Sequence, residues 1–284
     1  MKSFSFLIIV ISVIASLFSG CIGQTDNENQ KTLQEPVELR LSTTTSTCDT
    51  GILDTLNRKF EEENNVRILT ICQGTGKAIA TGELGAADVV FVHAPESELK
   101  AVTSGSFINR TYVMYNYFVI IGPEKDPAGI RGADNASDAF SKIAGIQAAF
   151  ISRGDESGTH KKEKAIWLAA NITPSGTWYQ SVGKGMGDTI ITADVREGYT
   201  LSDRGTYLAM KDKTGLVVLF ENDTEYLFNP YHVMAVNPEK FDVEYELAMK
   251  YISFLTSSEV QDIIREYGKD KYGEALFTPA VDVI

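Results

Sequence analysis

The residues best equipped for chemistry are Ser152-Arg153-Gly154-Asp155-Glu156-Ser157-Gly158-Thr159, set between an apolar run, Ile146–Ile151, and a helical stretch, Thr159–Ala170. The first backbone N–H groups of a helix have no partner within it, and aligned peptide dipoles place about half a positive charge there. Ser157 and Thr159 add hydroxyl donors, Gly158 lets a ligand approach the backbone, and Arg153 offers a planar fork of N–H groups. Together they make a receptor for an anion. Taken alone, the octet reads equally well as a capped helix beside a surface Arg–Asp pair, because such helix starts are common. A second stretch shifts that balance: Ser42-Thr43-Thr44-Thr45-Ser46-Thr47 also lies between an apolar strand, Val37–Leu41, and an amphipathic helix. Two strand–hydroxyl–helix units far apart in the chain point to two helix N-termini facing one ligand. Gln73-Gly74-Thr75-Gly76-Lys77 reads as a third loop on the same rim; its lone G-x-G is a weak nucleotide signal, with no acidic ribose partner.

Other chemistries fit less well. Ser157 or Ser46 as a nucleophile would need a positioned base or a metal. His160 follows Ser157 by three positions at one helix start, where both would cap rather than react, and no G-x-S-x-G occurs. His93, His160, His232 and the cysteines lack ligand spacing, so neither a metal nor a cofactor is expected. His93 reads as a satisfied loop or core histidine, and the Tyr112–Phe118 stripe as strand packing. A formal charge of −12 and a pI near 4.8 argue against nucleic acid and against a simple electrostatic membrane patch. An anion must therefore be attracted locally, by oriented dipoles and a few Arg side chains.

Stepping from these loops to the elements that hold them, the chain alternates strand and helix. Val37–Leu41, Val66–Ile71 and Ala87–Val92 read as strands, with helices over Asp49–Asn64, Ala78–Leu84 and Glu96–Ser104. That order predicts a parallel sheet covered by helices, whose ligands lie outside the carboxyl ends of the strands. All three loops lie at those ends. Tyr112–Gly122 and Asn229–Val236 are long apolar strands that bracket a second α/β series. Its elements are the helix Asn135–Ile143, the strand Ile146–Ile151, Trp178–Val182, a helix over Asp188–Glu197 capped by Asp188, and the strand Gly215–Glu221. Helices Val243–Leu255 and Ser258–Tyr267 follow. The arrangement predicts one lobe at 37–113 and 237–284, with a second, 114–236, inserted through two crossing strands. Two such lobes can close on a ligand like a hinge.

Lys2, the apolar run Phe4–Phe18 and Ser19-Gly20-Cys21 resemble a lipoprotein signal peptide, residues 1–20, cleaved before a lipid-bearing Cys21; an uncleaved membrane anchor is the alternative. Residues 21–36 read as a flexible tether. Either reading places the remainder outside the cytoplasm. Cys48 opens the first helix and Cys72 ends the second strand, so a disulfide is sterically feasible, with two free thiols as the alternative. Asn109, Asn135, Asn171 and Asn222 stand in N-x-S/T sequences that chance alone would supply.

The chain as a whole resembles the tungstate-binding components of ABC importers. The resemblance is carried by the lipoprotein Cys, Leu41-Ser42-Thr43-Thr44-Thr45-Ser46 with Asp49, Val92-His93-Ala94-Pro95, Val113-Met114-Tyr115-Asn116 and Phe118–Pro123. It continues through the octet with His160-Lys161-Lys162-Glu163, Gly185-Met186-Gly187 and Asp203-Arg204-Gly205-Thr206-Tyr207-Leu208. It covers nearly all of the mature chain, in order; Cys48 and Cys72 stand outside it. The resemblance implies an α/β, two-lobed, periplasmic-binding-protein-like (type II) fold, each lobe a mostly parallel sheet flanked by helices. It further implies capture of tungstate, or molybdate, in the interlobe cleft by an extracytoplasmic monomer, and delivery to a permease with a cytoplasmic ATPase. Carried over residue by residue, the site comprises Thr44, Thr45 and Ser46 from one lobe and Arg153, Ser157, Gly158 and Thr159 from the other. Thr75 is a weaker member and Arg196, after the Gly187 loop, weaker still.

The proton inventory of the ligand discriminates among anions. Tungstate, molybdate and sulfate are fully ionised at neutral pH and only accept hydrogen bonds, whereas hydrogen phosphate would welcome a carboxylate. Asp155 is therefore the residue to watch. Holding Arg153 it suits tungstate; facing the cleft alone it would repel a proton-free dianion and favour phosphate.

Overall fold

The computed structural model describes residues 36–282. The expected signal peptide, Cys21 and all of the tether except Pro36 lie outside the described residues. In chain order, β1 (Val37–Thr44), α1 (Thr45–Asp49), α2 (Ile52–Asn64), β2 (Val66–Gln73), α3 (Thr75–Glu83), β3 (Val89–Val92) and α4 (Pro95–Thr103) form the first half. The long strand β4 (Phe107–Gly122) leads to α5 (Ala136–Gly145), β5 (Phe150–Ser152), α6 (Gly158–Ala169), β6 (Tyr179–Ser181), α7 (Met186–Val195), β7 (Thr200–Asp203), α8 (Arg204–Met210) and β8 (Val217–Phe220). The return strand β9 (Phe228–Val236) precedes α9 (Tyr245–Leu255), α10 (Ser258–Glu266), α11 (Lys269–Tyr272) and β10 (Thr278–Pro279).

β1 lies between β2 and β3 and runs parallel to both, from Val37↔Val66 to Thr44↔Gln73 on one side. β9 joins β3 antiparallel, and β4 joins β9 antiparallel from Phe107↔Val236 to Tyr117↔Phe228. Past Tyr117 the same strand changes partners and pairs with β7, Phe118↔Asp203 through Ile121↔Thr200, and with β8. One continuous strand thus belongs to both halves.

β3 is buried at all four positions because helices cover both faces of the sheet. Val89 and Phe91 point with Leu39 and Leu41 towards Leu56 and Phe60 of α2 and Tyr251, Leu255 and Ile264 of α9 and α10. Val90 and Val92 point the other way, to Ala78 and Ile79 of α3 and Ala101 of α4. The apolar stripe of α2, Ile52, Leu53, Leu56 and Phe60, is buried as its 3.6-residue spacing predicts. Removing the Phe60 ring from such a site costs about 3–5 kcal/mol. In the second half Phe118, Phe140, Phe150, Trp167 and Tyr199 form an aromatic core, with Phe140 and Trp167 centroids 4.3 Å apart. The opposite face, Val119, Ile121 and Ile151, is covered by Met186 and Ile190 of α7 and Leu208 of α8.

The structure redraws several expected boundaries. The helix expected over Asp49–Asn64 starts only at Ile52, because Gly51 turns at φ 76°, and Asp49 instead ends the short α1. The strand expected over Ile146–Ile151 is only Phe150–Ser152; Ile146 ends α5, exposed, and Gln147 turns the chain at φ 51°. Asp188 is not the cap of α7. Gly185 is, and Asp188 sits in the first turn, where its charge still complements the helix dipole.

Candidate anion-binding site

β1 ends at Thr44, and the side chain of Thr44 caps α1 by accepting the Thr47 N–H at 3.1 Å. Thr44 Oγ1 also lies 2.6 Å from Thr47 Oγ1 and 3.1 Å from Ser46 Oγ. Both Thr44 Oγ1 and Ser46 Oγ stand 3.2 Å from Nε2 of His93, which opens the loop after β3. The His93 ring is buried, stacks on Tyr231 with centroids 4.5 Å apart, and places Nδ1 2.9 Å from Asn229 Oδ1. Asn229 Nδ2 donates in turn to Asn116 Oδ1 at 2.7 Å, its direct partner across the two crossing strands. Burial pushes the imidazole below its ordinary pKa; Asn229, Asp203 and Glu98 pull it back up, and Arg153 opposes them. Cys48 and Cys72 form a disulfide that ties α1 to the end of β2.

Across the cleft, β5 delivers Ser152 and the buried Arg153 into a turn at Gly154, φ 61°, where a Cβ would stand 2.7 Å from that of Ser181. Arg153 Nη2 donates to Asp155 Oδ2 at 2.5 Å, and the Ser157 N–H donates to Asp155 Oδ1 at 3.1 Å. Both carboxylate oxygens of Asp155 are thereby engaged, although its side chain lines the cleft. Ser157 caps α6 by accepting the His160 N–H, while His160 Nδ1 accepts the Glu156 N–H. The Gly158 N–H donates to Thr75 Oγ1 at 2.9 Å, which closes one half against the other. Arg153 Nε and Thr159 Oγ1 are buried without a partner. Each such donor costs about 1–3 kcal/mol when left unmade, so both are poised for an acceptor.

Between these walls lies a cleft of about 460 Å³ whose lining includes Thr45, Gly74, Arg153, Asp155, Glu156 and Gly185. It receives the starts of α1, α3 and α7, together with the turn before α6. Two exposed cations, Lys77 and Lys184, stand at its mouth. Among the described residues no group of three His, Cys, Asp or Glu could hold a metal ion. The donors are N–H and O–H groups with one buried guanidinium, which suits a compact anion that only accepts.

Of the residues expected at the site, Thr45 and Arg153 line this cleft, and Thr75 and Gly158 meet at its back. Thr44 and Ser46 turn their hydroxyls towards His93, and Thr159 lies buried in the first turn of α6. Arg196 is a correction. It is exposed at the C-cap of α7, the end opposite Gly185, and a ten-residue helix puts about 15 Å between the two. Sequence reasoning missed the His93–Asn229–Asn116 network and both mouth lysines. The signal for His93 was its place at the carboxyl end of a buried strand; an Asn inside an apolar strand was the signal for the other two.

Ser46, His93 and Asn229 stand in the order of a nucleophile, a base and its orienter. The orienter is a neutral amide, and replacing a triad carboxylate by an amide costs about 10⁴-fold in turnover. Nε2 is also shared with Thr44. The network directs hydroxyl groups more readily than it activates one.

The PBP superfamily domain profile matches residues 25–259. A tungstate-binding protein TupA of Peptoclostridium acidaminophilum is 41% identical over 283 residues, covering 98% of this chain and 99% of that protein. The crystal structure of a tungstate ABC transporter from Geobacter sulfurreducens is 52% identical, with a TM-score of 0.74 over 81% of this chain and 98% of that one. The tungstate-binding protein TupA from Desulfovibrio alaskensis is 40% identical, also with a TM-score of 0.74, over 86% of this chain and 98% of that one.

Proposed function

We propose that this chain, which belongs to the PBP superfamily and within it to the family of the tungstate-binding proteins TupA, captures tungstate in the cleft between α1, α3, α6 and α7 for an ABC importer. It is a solute-binding protein, not an enzyme. The lobes are 37–113 with 237–284, and 114–236. The partners are a permease and its ATPase, and a monomeric, extracytoplasmic protein is held at the membrane by lipid on Cys21 after removal of residues 1–20.

One observation carries the choice of ligand. The wall of hydroxyls, N–H groups and buried Arg153 has two carboxylates beside it, and both are engaged: Asp155 by Arg153 and the Ser157 N–H, and Glu156 by Lys164 Nζ. A fully ionised oxyanion finds donors everywhere and no free acceptor. Molybdate, of nearly the same size and charge, is the second reading on the same ground. Phosphate would be favoured only if Asp155 released Arg153 to accept its proton.

Calorimetric titration of residues 22–284 with tungstate, molybdate, sulfate and phosphate in one buffer tests the reading. Tight one-to-one binding of tungstate, with sulfate and phosphate silent, is the expected result. Phosphate binding with tungstate silent overturns it.

A further inference from the structure

His93 is a buried base in the network that joins the anion-binding loop to the crossing strands, and a cleft of donors makes no direct use of a base. Its geometry leaves little freedom. Asn229 Nδ2 donates to Asn116 Oδ1 at 2.7 Å and lies 3.3 Å from the Tyr231 hydroxyl, with the amide oxygen towards the ring and Asn116 Nδ2 buried without a partner. A neutral ring must then carry its proton on Nδ1, 2.9 Å from that oxygen. Nε2 is left as a bare lone pair, 3.2 Å from both Thr44 Oγ1 and Ser46 Oγ. The ring cannot swing away, because it stacks on Tyr231 and its Cε1 faces Gly158, where a Cβ would stand at 3.1 Å.

We propose that His93 is the positioning residue of the anion-binding loop. In its Nδ1–H form it accepts the hydroxyl proton of Thr44 or Ser46 at Nε2, and so fixes from behind the loop whose Thr45 lines the cleft. This rests on the reading of the cleft as an oxyanion site. Thr44 Oγ1 already accepts the Thr47 N–H. With one hydroxyl proton drawn to Nε2, the two hydroxyls behind the loop are held rather than left to rotate. A site whose donors are already aimed spends less of its binding energy on ordering them. The tautomer is held by Asn229 on β9, so the aim of the loop depends on a residue of the crossing strand.

The test has two independent arms. The first is a long-range ¹H–¹⁵N spectrum of the ¹⁵N-labelled, ligand-free protein, with its three histidines assigned through variants at His160 and His232. The expected result is a protonated Nδ1 and a pyridine-like Nε2 for His93. A proton on Nε2 in the neutral ring overturns the proposal whatever the ligand. The second arm compares tungstate binding by the wild type, His93→Phe and His93→Gln. Phe keeps the stack but offers no acceptor and should weaken tungstate by about tenfold or more; Gln, which can accept from a hydroxyl, should recover part of that loss. Equal affinity for wild type and a folded His93→Phe also overturns the proposal. A wild type that binds none of the four oxyanions would sink the reading of the cleft instead, while the spectrum still decides the tautomer.

Discussion

Arg153→Ala should damage oxyanion binding by two routes that can be separated. The guanidinium is buried, with Nη2 on Asp155 and Nε unpartnered. Loss of a charge-assisted hydrogen bond to a buried anion costs about 1.5–3 kcal/mol. Truncation also strips Asp155 of its cation and leaves a carboxylate on the wall of a cleft that holds a dianion. At a separation on the order of 5 Å and an effective dielectric near 20, one unit-charge repulsion is worth about 3 kcal/mol. The sum, about 5 kcal/mol, is a loss of roughly 10³–10⁴ in affinity. The diagnostic is the double variant. Arg153→Ala with Asp155→Asn should bind tungstate more tightly than Arg153→Ala alone, because the second change removes the repulsion that the first created. Asp155→Asn by itself should stay within about tenfold of wild type, since an amide oxygen can still accept the Ser157 N–H. Isothermal calorimetry on the four proteins closes the cycle. If the double variant is no better than Arg153→Ala, Asp155 does not face the anion. If Arg153→Ala binds as wild type does, Arg153 is not at the site.

Gly158→Ala should hold the halves apart, because its Cβ would stand 3.1 Å from both His93 Cε1 and Thr75 Oγ1. A roughly tenfold weaker tungstate affinity at unchanged thermal stability is expected, and unchanged affinity would show that closure does not need this contact. Replacing Cys48 and Cys72 by Ser opens a loop of sequence separation 24, worth about 3.5 kcal/mol in the chain-entropy account, or about 10 °C in Tm for a chain of this size. A thermal melt that matches the oxidised wild type would refute that. Glu163 is buried against Tyr179 and Trp167, and desolvation pushes its carboxyl up to about 7. The folded state therefore holds a proton that the unfolded state releases near pH 4.5. Its contribution is full below that pH and is lost as the pH rises towards 7, by about 3 kcal/mol. Glu163→Gln should flatten that part of the stability profile, and urea titrations at pH 5 and 8 that keep the wild-type slope would contradict the assignment.

What could be read from the chain, and what could not, divides on physical lines. The crossing strands were legible because long apolar runs stand out in a series of short strands, and the anion loops because hydroxyl-rich stretches followed apolar ones. The α1–α2 break was hidden, since Gly51 sits within an otherwise helical pattern and only the approach of Tyr267 shows why the turn is there. The start of α7 was misjudged because Gly185 caps without a side chain, whereas Asp188 advertises a cap it does not make. Ile146 looked like strand because a short apolar run carries no reliable period. The network behind the loop was illegible for another reason. Asn116 and Asn229 lie 113 residues apart, and only the register of β4 on β9 sets them side by side against His93.

The mouth lysines and the donor-lined wall sit in a chain of net charge −12, and the two facts pull on an arriving anion at different ranges. Out to about one Debye length from the surface, near 8 Å at physiological ionic strength and longer in dilute salt, the ion meets the repulsion of the whole molecule. Inside the mouth it meets Lys77 and Lys184, and then dipoles that added electrolyte screens far less. Entry should accordingly become faster as ionic strength rises, against the habit of electrostatically steered pairs. Departure, governed by bonds within a closed cleft, should hardly respond. A scavenger built in this way works best in saline surroundings, where its own bulk charge is hidden from the ion it has to catch.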